Sequence, residues 1–318
     1  MLMLKKTIAA LSLLSILAAC QNDENPSQPE PKPRQDINLT RAEQEFMDKG
    51  TDFAFRFFDQ VCSTEKEKPN VFVSPLSASL CLSMITNGAT DNTLAEMQDV
   101  LGFPANTFSL DDLNNYNQKL TSALLDLDNT TQLGIANSIW IEEGFKVYDS
   151  FVDVNKKMYD AQVQELDFTS PTAKDVINQW CATQTNNCIK EVIQEIPADA
   201  RMYLINALYF KGIWKSQFDK SATGQDNFTN VDGSQQKVAM MNQTATFNYT
   251  QTDDFSIAEL PYGNEAFSMV ILLPSGDKTL DESLPSLNYE NWKQWSKNMV
   301  GKELQIKLPR FKVEYDKE

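Results

Sequence analysis

The sequence predicts an α+β fold built as a single large domain, and three observations carry that prediction. Apolar residues recur at helical spacing through the first half of the globular part. Runs of strand length bounded by Gly, Pro or Asn dominate the second half, and no linker or internal repeat separates the two. With 318 residues, 42% of them apolar, the chain has enough to bury one large core.

The domain opens at Arg41, where Phe46, Phe53, Phe57, Phe58 and Val61 fall on one face of a helix ending near Val61 and form a core stripe. Asn70 to Val73 reads as a short strand. Ser74 followed by Pro75 is a helix N-cap with proline in the first turn, starting an apolar helix from Leu76 to Ile85 that Gly88 ends. Thr93 and Glu96 have the spacing of a capping box, which predicts a helix from there to Gly102. Helical spacing returns from Leu113 to Leu127. A strand follows over Leu133 to Ile141, a helix over Phe151 to Tyr159, a strand over Val163 to Phe168, and a helix over Val176 to Ile193 with a break at Asn186-Asn187. Strands are then expected at Met202 to Phe210, Val238 to Tyr249, Ile257 to Leu260, Met269 to Leu273 and Leu304 to Leu308, with one helix near Tyr289 to Asn298.

Charge and composition exclude several functions. Acidic residues outnumber basic ones 44 to 28, and a net charge of −16 repels phosphates, so no nucleic-acid partner is expected. The chain has no histidine, which removes the usual general base of a serine or cysteine hydrolase and the commonest transition-metal ligand. No S-x-x-K stands at a helix start, and there is no G-x-S-x-G and no Gly-rich phosphate loop. An enzyme is disfavoured, and no cofactor or metal is expected.

Residues 1–19 have the layout of a secretory signal: Lys5 and Lys6, an apolar run from Ile8 to Leu17 too short to span a bilayer, then small residues. Leu17-Ala18-Ala19-Cys20 resembles the lipobox of bacterial lipoproteins, which predicts cleavage before Cys20 and a lipid on its thiol. Residues 20–40 are polar and rich in proline, with Pro26, Pro29, Pro31 and Pro33, and read as a flexible tether that does not pack. The expected location is therefore the envelope, as an outer membrane lipoprotein exposed at the cell surface after secretion. In that compartment Cys62, Cys81, Cys181 and Cys188 could form disulfides. Cys81 belongs to an apolar helix and reads as core. Cys181 and Cys188 would lie about 10 Å apart along a continuous helix, so a bridge needs the helix to end between them.

Asn70-Val71-Phe72-Val73-Ser74-Pro75-Leu76-Ser77 resembles the serpin family, and further segments resemble it in the same order to the C-terminus. They include Gly88-Ala89 with Thr93, Leu101-Gly102-Phe103, Ile135 to Ile139, Tyr159 to Phe168, Val238 to Met241, Leu260-Pro261-Tyr262, Met269 to Pro274 and Leu308-Pro309-Arg310-Phe311. The most specific is Asn206-Ala207-Leu208-Tyr209-Phe210-Lys211-Gly212-Ile213-Trp214 with Phe218 and Thr223. The resemblance spans 41–318 and implies a fold of three β-sheets with eight or nine helices.

It also implies a function. Family members inhibit serine proteases by offering an exposed loop. Cleavage leaves the protease as a trapped acyl-enzyme while the loop inserts as a new strand in the main sheet. This insertion is itself a standard instance of strand addition with release of stored strain. The point where the sheet opens, the shutter, is matched by Ser74, Ser77 and Asn206. The entry point, the breach, is matched by Trp214. Taken singly, Ser74 reads as a helix cap, Asn206 as a satisfied buried amide and Trp214 as a core aromatic. In the family a histidine from a later strand joins the shutter, and this chain has none. Asp91 and Asn187 stand where the family often has glycine, and both residue types tolerate left-handed backbone.

After Lys312-Val313-Glu314-Tyr315 the family continues into a helix, a central strand, the hinge and reactive loop and the last core strands. None of these is in the sequence, so the domain is expected to be incomplete at its C-terminus, with unpaired sheet edges and no reactive-site residue. The resemblance implies a tethered suicide inhibitor of serine, or cysteine, proteases, a monomer when complete and non-inhibitory as this chain. A non-inhibitory serpin-fold binding or carrier module is the alternative.

Overall fold

The computed structural model of the chain describes residues 30–65, 70–104 and 107–315; the predicted signal and Cys20 lie outside them. The compact unit begins at Pro31. Residues 31–40 have no regular secondary structure, yet Lys32 fastens them to the body: its backbone N–H donates to Asn129 Oδ1 at 2.8 Å and its Nζ reaches Asp126 at 2.6 Å. This stretch is thus fastened to the body at Lys32, while most of its residues stay exposed.

Four helices lead. The first, α1 (Arg41–Thr64), starts at a capping box in which Thr40 and Glu43 satisfy each other's backbone N–H groups. Its predicted stripe is buried at Phe46, Phe53 and Val61. Phe46 is the hub, with ring centroids 4.2 Å from Phe108, 4.7 Å from Phe103 and 5.2 Å from Tyr116. Next come α2 (Pro75–Thr86), α3 (Asp91–Leu101) and α4 (Leu110–Asp126), the last opened by a capping box of Ser109 and Asp112.

Two local expectations fail here. Residues 70–73 are not a strand: they pair with nothing described, and Phe72 is 70% exposed beside an apolar cleft floored by Phe55 and Phe58. Strand propensity reports fit to a pleated surface and cannot supply the neighbouring strand that makes a ladder. The Thr93–Glu96 capping box is also absent. Asp91 takes φ +52°, and α3 starts there from an N-cap, Thr90, that lies three residues before Thr93 and makes no side-chain bond.

The main sheet follows in the order β2-β1-β3. It is made of β1 (Gln132–Glu142), β2 (Gln162–Leu166) and β3 (Met202–Lys211), with α5 (Asp149–Tyr159) linking β1 to the parallel β2. β3 runs antiparallel to β1, with Asn137 opposite Asn206. Period-two alternation divides the faces. Ile139, Ile141 and Leu204 point to α2 and α5, whereas Trp140, Tyr203, Ile205 and Ala207 point to α6 (Ala173–Gln184).

The helix predicted to run to Ile193 therefore stops at Gln184. Asn186 and Asn187 take φ +50° and +60° and turn the chain away. Cys181 is buried inside α6 and Cys188 exposed beyond it; all four described cysteines are free thiols.

The remaining strands are β4 (Gly224–Thr229), β5 (Gln235–Gln251), β6 (Phe255–Pro261), β7 (Ser268–Pro274) and β8 (Val300–Pro309), with the short helix α7 (Leu280–Ser283) and α8 (Tyr289–Lys297) before β8. β4 and the 3-10 turn at Lys220–Ala222 were not anticipated. β5 carries β8 along one edge from Met240 to Tyr249 and shares its other edge between β4 and β6. The described strands thus form two hydrogen-bonded sheets, the three-stranded main sheet and this five-stranded one, where three were expected. Eight α-helices are described.

Candidate functional site

The four residues singled out from the sequence fall into three groups along the main sheet. Ser74 caps α2: its Oγ accepts from the Ser77 backbone N–H at 3.2 Å and lies 2.9 Å from Ser77 Oγ. The two serines thus satisfy each other and the helix terminus. Neither is hydrogen-bonded to Asn206 in the structure.

Asn206 sits mid-way along β3 on the α2 side. Its Nδ2 donates to Asn137 Oδ1 on β1 at 2.9 Å, and Asn137 Nδ2 donates to the Tyr159 carbonyl at the end of α5 at 2.7 Å. The Asn206 Oδ1 is buried and has no partner. Such an orphaned acceptor costs about 1–3 kcal/mol, and of the residues expected to form the shutter Asn206 alone has a buried atom without a partner. α2 rests on this stretch through Cys81, whose Sγ contacts the Leu204 carbonyl at 3.9 Å. Burial pushes the Cys81 thiol up to about 11, so it stays protonated and serves as packing.

Asn137 and Tyr159 were not assigned roles from the sequence. A signal was present: Asn137 interrupts the apolar run Ile135 to Ile141 and is 5% exposed, and an amide buried in a strand needs a partner. Which partner it finds depends on the antiparallel pairing of distant strands.

Trp214 lies just past β3, half-buried, in an isolated antiparallel bridge with Tyr262. The two rings stack at 4.3 Å and 16°. Phe218 meets the other side of the indole edge-on at 6.1 Å, and Phe210 meets Tyr262 edge-on at 5.2 Å. The backbone follows this packing: Lys215 N–H donates to the Pro261 carbonyl and Gly263 N–H to that of Ile213. Lys215 also pairs with Glu265.

Behind this cluster Asp128, 4% exposed, braces the turn after Tyr262. Burial opposes its ionisation, but donors from Thr130, Thr131 and the Asn264 backbone outweigh that, and its carboxyl is held below the ordinary range. Gly263, at φ +40°, leaves no room for a side chain against Asp128 and Thr130.

No group of three or more His, Cys, Asp or Glu residues able to hold a metal occurs among the described residues. The shifted carboxylates are accounted for by caps, turns and exposed ion pairs. What the arrangement offers is mechanical. β3 pairs β1 on one side and has no ladder on its other edge among the described strands. Asn206 stands mid-way along β3, and an aromatic cluster stands at its C-terminal end.

Comparison with known proteins gives one consistent result. A family model described as Serpin (serine protease inhibitor) matches residues 48–318. An uncharacterized serpin-like protein of Methanosarcina acetivorans is 33% identical over 269 residues, covering 82% of this chain and 62% of that protein. Human Serpin B3 is 31% identical over 284 residues, covering 83% of this chain and 72% of its own length. The crystal structure of the thermophilic serpin tengpin in its native state superposes with a TM-score of 0.77 at 30% identity, covering 89% of this chain and 70% of that one.

Proposed function

The chain belongs to the serpin family, and on that premise we propose that it comes from a trapping inhibitor of serine proteases tethered to the cell envelope. β3 carries the reading. It is ten residues long, it lies within the region that the Serpin family model matches, and Asn206 stands mid-way along it, bonded across to Asn137 on β1. In such a mechanism a strand inserted beside β3 adds backbone hydrogen bonds along its length, and these supply the driving free energy. That free energy is what drags and distorts an acyl-linked protease in a trapping mechanism.

Opening the sheet at Asn206 leaves the α2 cap untouched. Ser74 and Ser77 are satisfied by each other and by the cap, so α2 keeps its terminus intact while β3 gains a neighbour. The Trp214–Tyr262 stack sits where a strand would start to enter, as a rigid lip at the end of β3.

The tether is the second part of the proposal. Cys20 carries the lipid, and the polar, proline-rich run after it stands the inhibitor off the membrane. A Cys20→Ser variant that still labels with palmitate, or still sediments with membranes, removes this part alone.

The inhibitor reading is tested by incubating the complete gene product with trypsin-like, chymotrypsin-like and elastase-like proteases. An SDS-resistant complex is expected with at least one. Digestion with no trapped species across the panel overturns the reading in favour of a binding module.

A further inference from the structure

Asparagine is a poor residue for the interior of a helix or a strand, yet this chain buries asparagines at several such places on one side of the main sheet. Asn114 lies inside α4 at 1% exposure and Asn117 one turn on at 5%. Asn137 lies mid-strand in β1 at 5%, and two part-buried asparagines join them, Asn206 mid-strand in β3 and Asn87 at the C-cap of α2. Residues that defy local preference without gain in packing mark places where something other than stability is being specified.

Their hydrogen bonds form two runs joined through the body of Tyr159. Asn87 and Asn114 exchange bonds through both side chains, Asn114 Nδ2 donating to Asn87 Oδ1 at 2.8 Å and Asn87 Nδ2 donating to Asn114 Oδ1 at 3.1 Å. The Tyr159 hydroxyl also donates to Asn114 Oδ1, at 2.7 Å, and accepts from Asn117 Nδ2 at 3.3 Å. At its other end, Tyr159 offers its backbone carbonyl to Asn137 Nδ2, and Asn137 in turn receives Asn206 Nδ2. Asp160, directly after Tyr159, takes φ +49°, and Ala161 N–H returns to the Asn155 carbonyl. The end of α5 is thereby clamped with Tyr159 gripping the helices by its hydroxyl and the sheet by its carbonyl.

We infer that Asn87 and Asn114 are positioning residues for the strand-accepting edge of the main sheet. The pair holds Tyr159, Tyr159 holds Asn137, and Asn137 fixes the amide of Asn206. The inference rests on the proposed role of β3 as the strand that gains a neighbour. Its content is that the resistance of β3 to opening is set from the α2–α4 side, two helices away from the edge that opens.

Amide chains of this kind polarise one another and leave each member one allowed orientation. If Asn114 is lost, Tyr159 loses its acceptor, the end of α5 loosens, and Asn137 has no fixed carbonyl to donate to. Burial pushes the Tyr159 hydroxyl up to about 12, so it keeps its donor proton at every pH at which the protein is studied. The relay contains no other titratable group.

The test is segment-resolved hydrogen exchange on the chain itself, which needs no inhibitory activity and so fails or succeeds independently of the trapping assay. The double variant Asn87→Leu/Asn114→Leu replaces the exchanged pair by apolar side chains of similar size and leaves the buried Tyr159 hydroxyl without its acceptor, so some global stability is lost as well. Exchange in residues 202–211 is expected to rise about tenfold beyond any change in residues 41–64, the equivalent of one buried hydrogen bond, the latter segment reporting the global loss. Uniform acceleration across all segments, or none at β3, overturns the inference. A cycle of Tyr159→Phe with Asn206→Ala supplies the second reading. Linked effects on β3 exchange saturate, so the double variant is no faster than the faster single, whereas effects that multiply show two independent contacts and overturn the relay.

Discussion

Placing an alanine at Gly212 isolates the packing at the end of β3. The added methyl carbon would stand 2.6 Å and 2.8 Å from Cδ1 and Cγ of the Tyr262 ring and 3.1 Å from Phe210 Cε1. Ordinary carbon contacts lie near ~3.5–4.0 Å, so the root of the ring has to retreat by about 0.7–1 Å. It cannot do so freely, because Tyr262 is stacked on Trp214 at 4.3 Å and abuts Phe210 at 5.2 Å. Overpacking of this kind costs about 1–3 kcal/mol. The stiffer unfolded chain returns about 0.4–1 kcal/mol, leaving a net loss of about 1–2 kcal/mol. Gly134, on β1, is the control: its added methyl meets nothing closer than 3.7 Å, so Gly134→Ala is expected to be neutral or slightly stabilising. Urea unfolding followed by far-ultraviolet circular dichroism reads both. In a Tyr262→Ala background the penalty at Gly212 should vanish, since the ring it strikes is gone. If Gly212→Ala behaves like Gly134→Ala, or costs the same with and without the Tyr262 ring, the close packing claimed for the breach is wrong.

Other consequences follow from the same contacts. Glu43 is held down to about 2, chiefly by Lys119 at 2.7 Å and by the Thr40 cap. Its contribution is therefore full above the ordinary carboxylate range and lost as pH falls from about 4.5 towards 2. Glu43→Gln should lower the thermal midpoint at pH 7, and the gap from wild type should close by pH 2–3. Leu80, 1% exposed under the main sheet, should cost about 2–5 kcal/mol when cut to alanine, measured by urea unfolding. Among the four described thiols, exposed Cys188 should react first with a thiol reagent on the native protein, and buried Cys181 only on unfolding.

Much of the fold was legible because much of it is local. The Ser74-Pro75 start of α2, the Phe46-to-Val61 stripe of α1 and the asparagine pair that stops α6 each act within a few residues, and each appears where the sequence places it. What failed depended on neighbours distant in sequence. Val71-Phe72-Val73 has the composition of a strand, but a strand exists only where another runs beside it. The start of α3 shifted because one backbone angle at Asp91 outweighed a capping pattern. β4 is short and polar, with no apolar alternation to announce it.

The candidate site divides in the same way. Ser74, Ser77, Asn206 and Trp214 could be named from a family resemblance, and the structure sets them in separate contacts along one sheet. Their partners Asn137, Tyr159 and Tyr262 could not be named from the sequence, because each meets its contact only when distant segments pack together. Buried amides carry no sequence period. Their one visible trace is a polar residue in a place that local preference opposes.

The account stands or falls on whether β3 gains a strand when the inhibitor meets a protease. The most direct measurement is hydrogen exchange of residues 202–211 in the complete gene product before and after reaction with a protease that cleaves it. A changed protection pattern along β3, appearing together with a trapped protease, is the predicted result. Cleavage with release of active protease and unchanged exchange in β3 would contradict it.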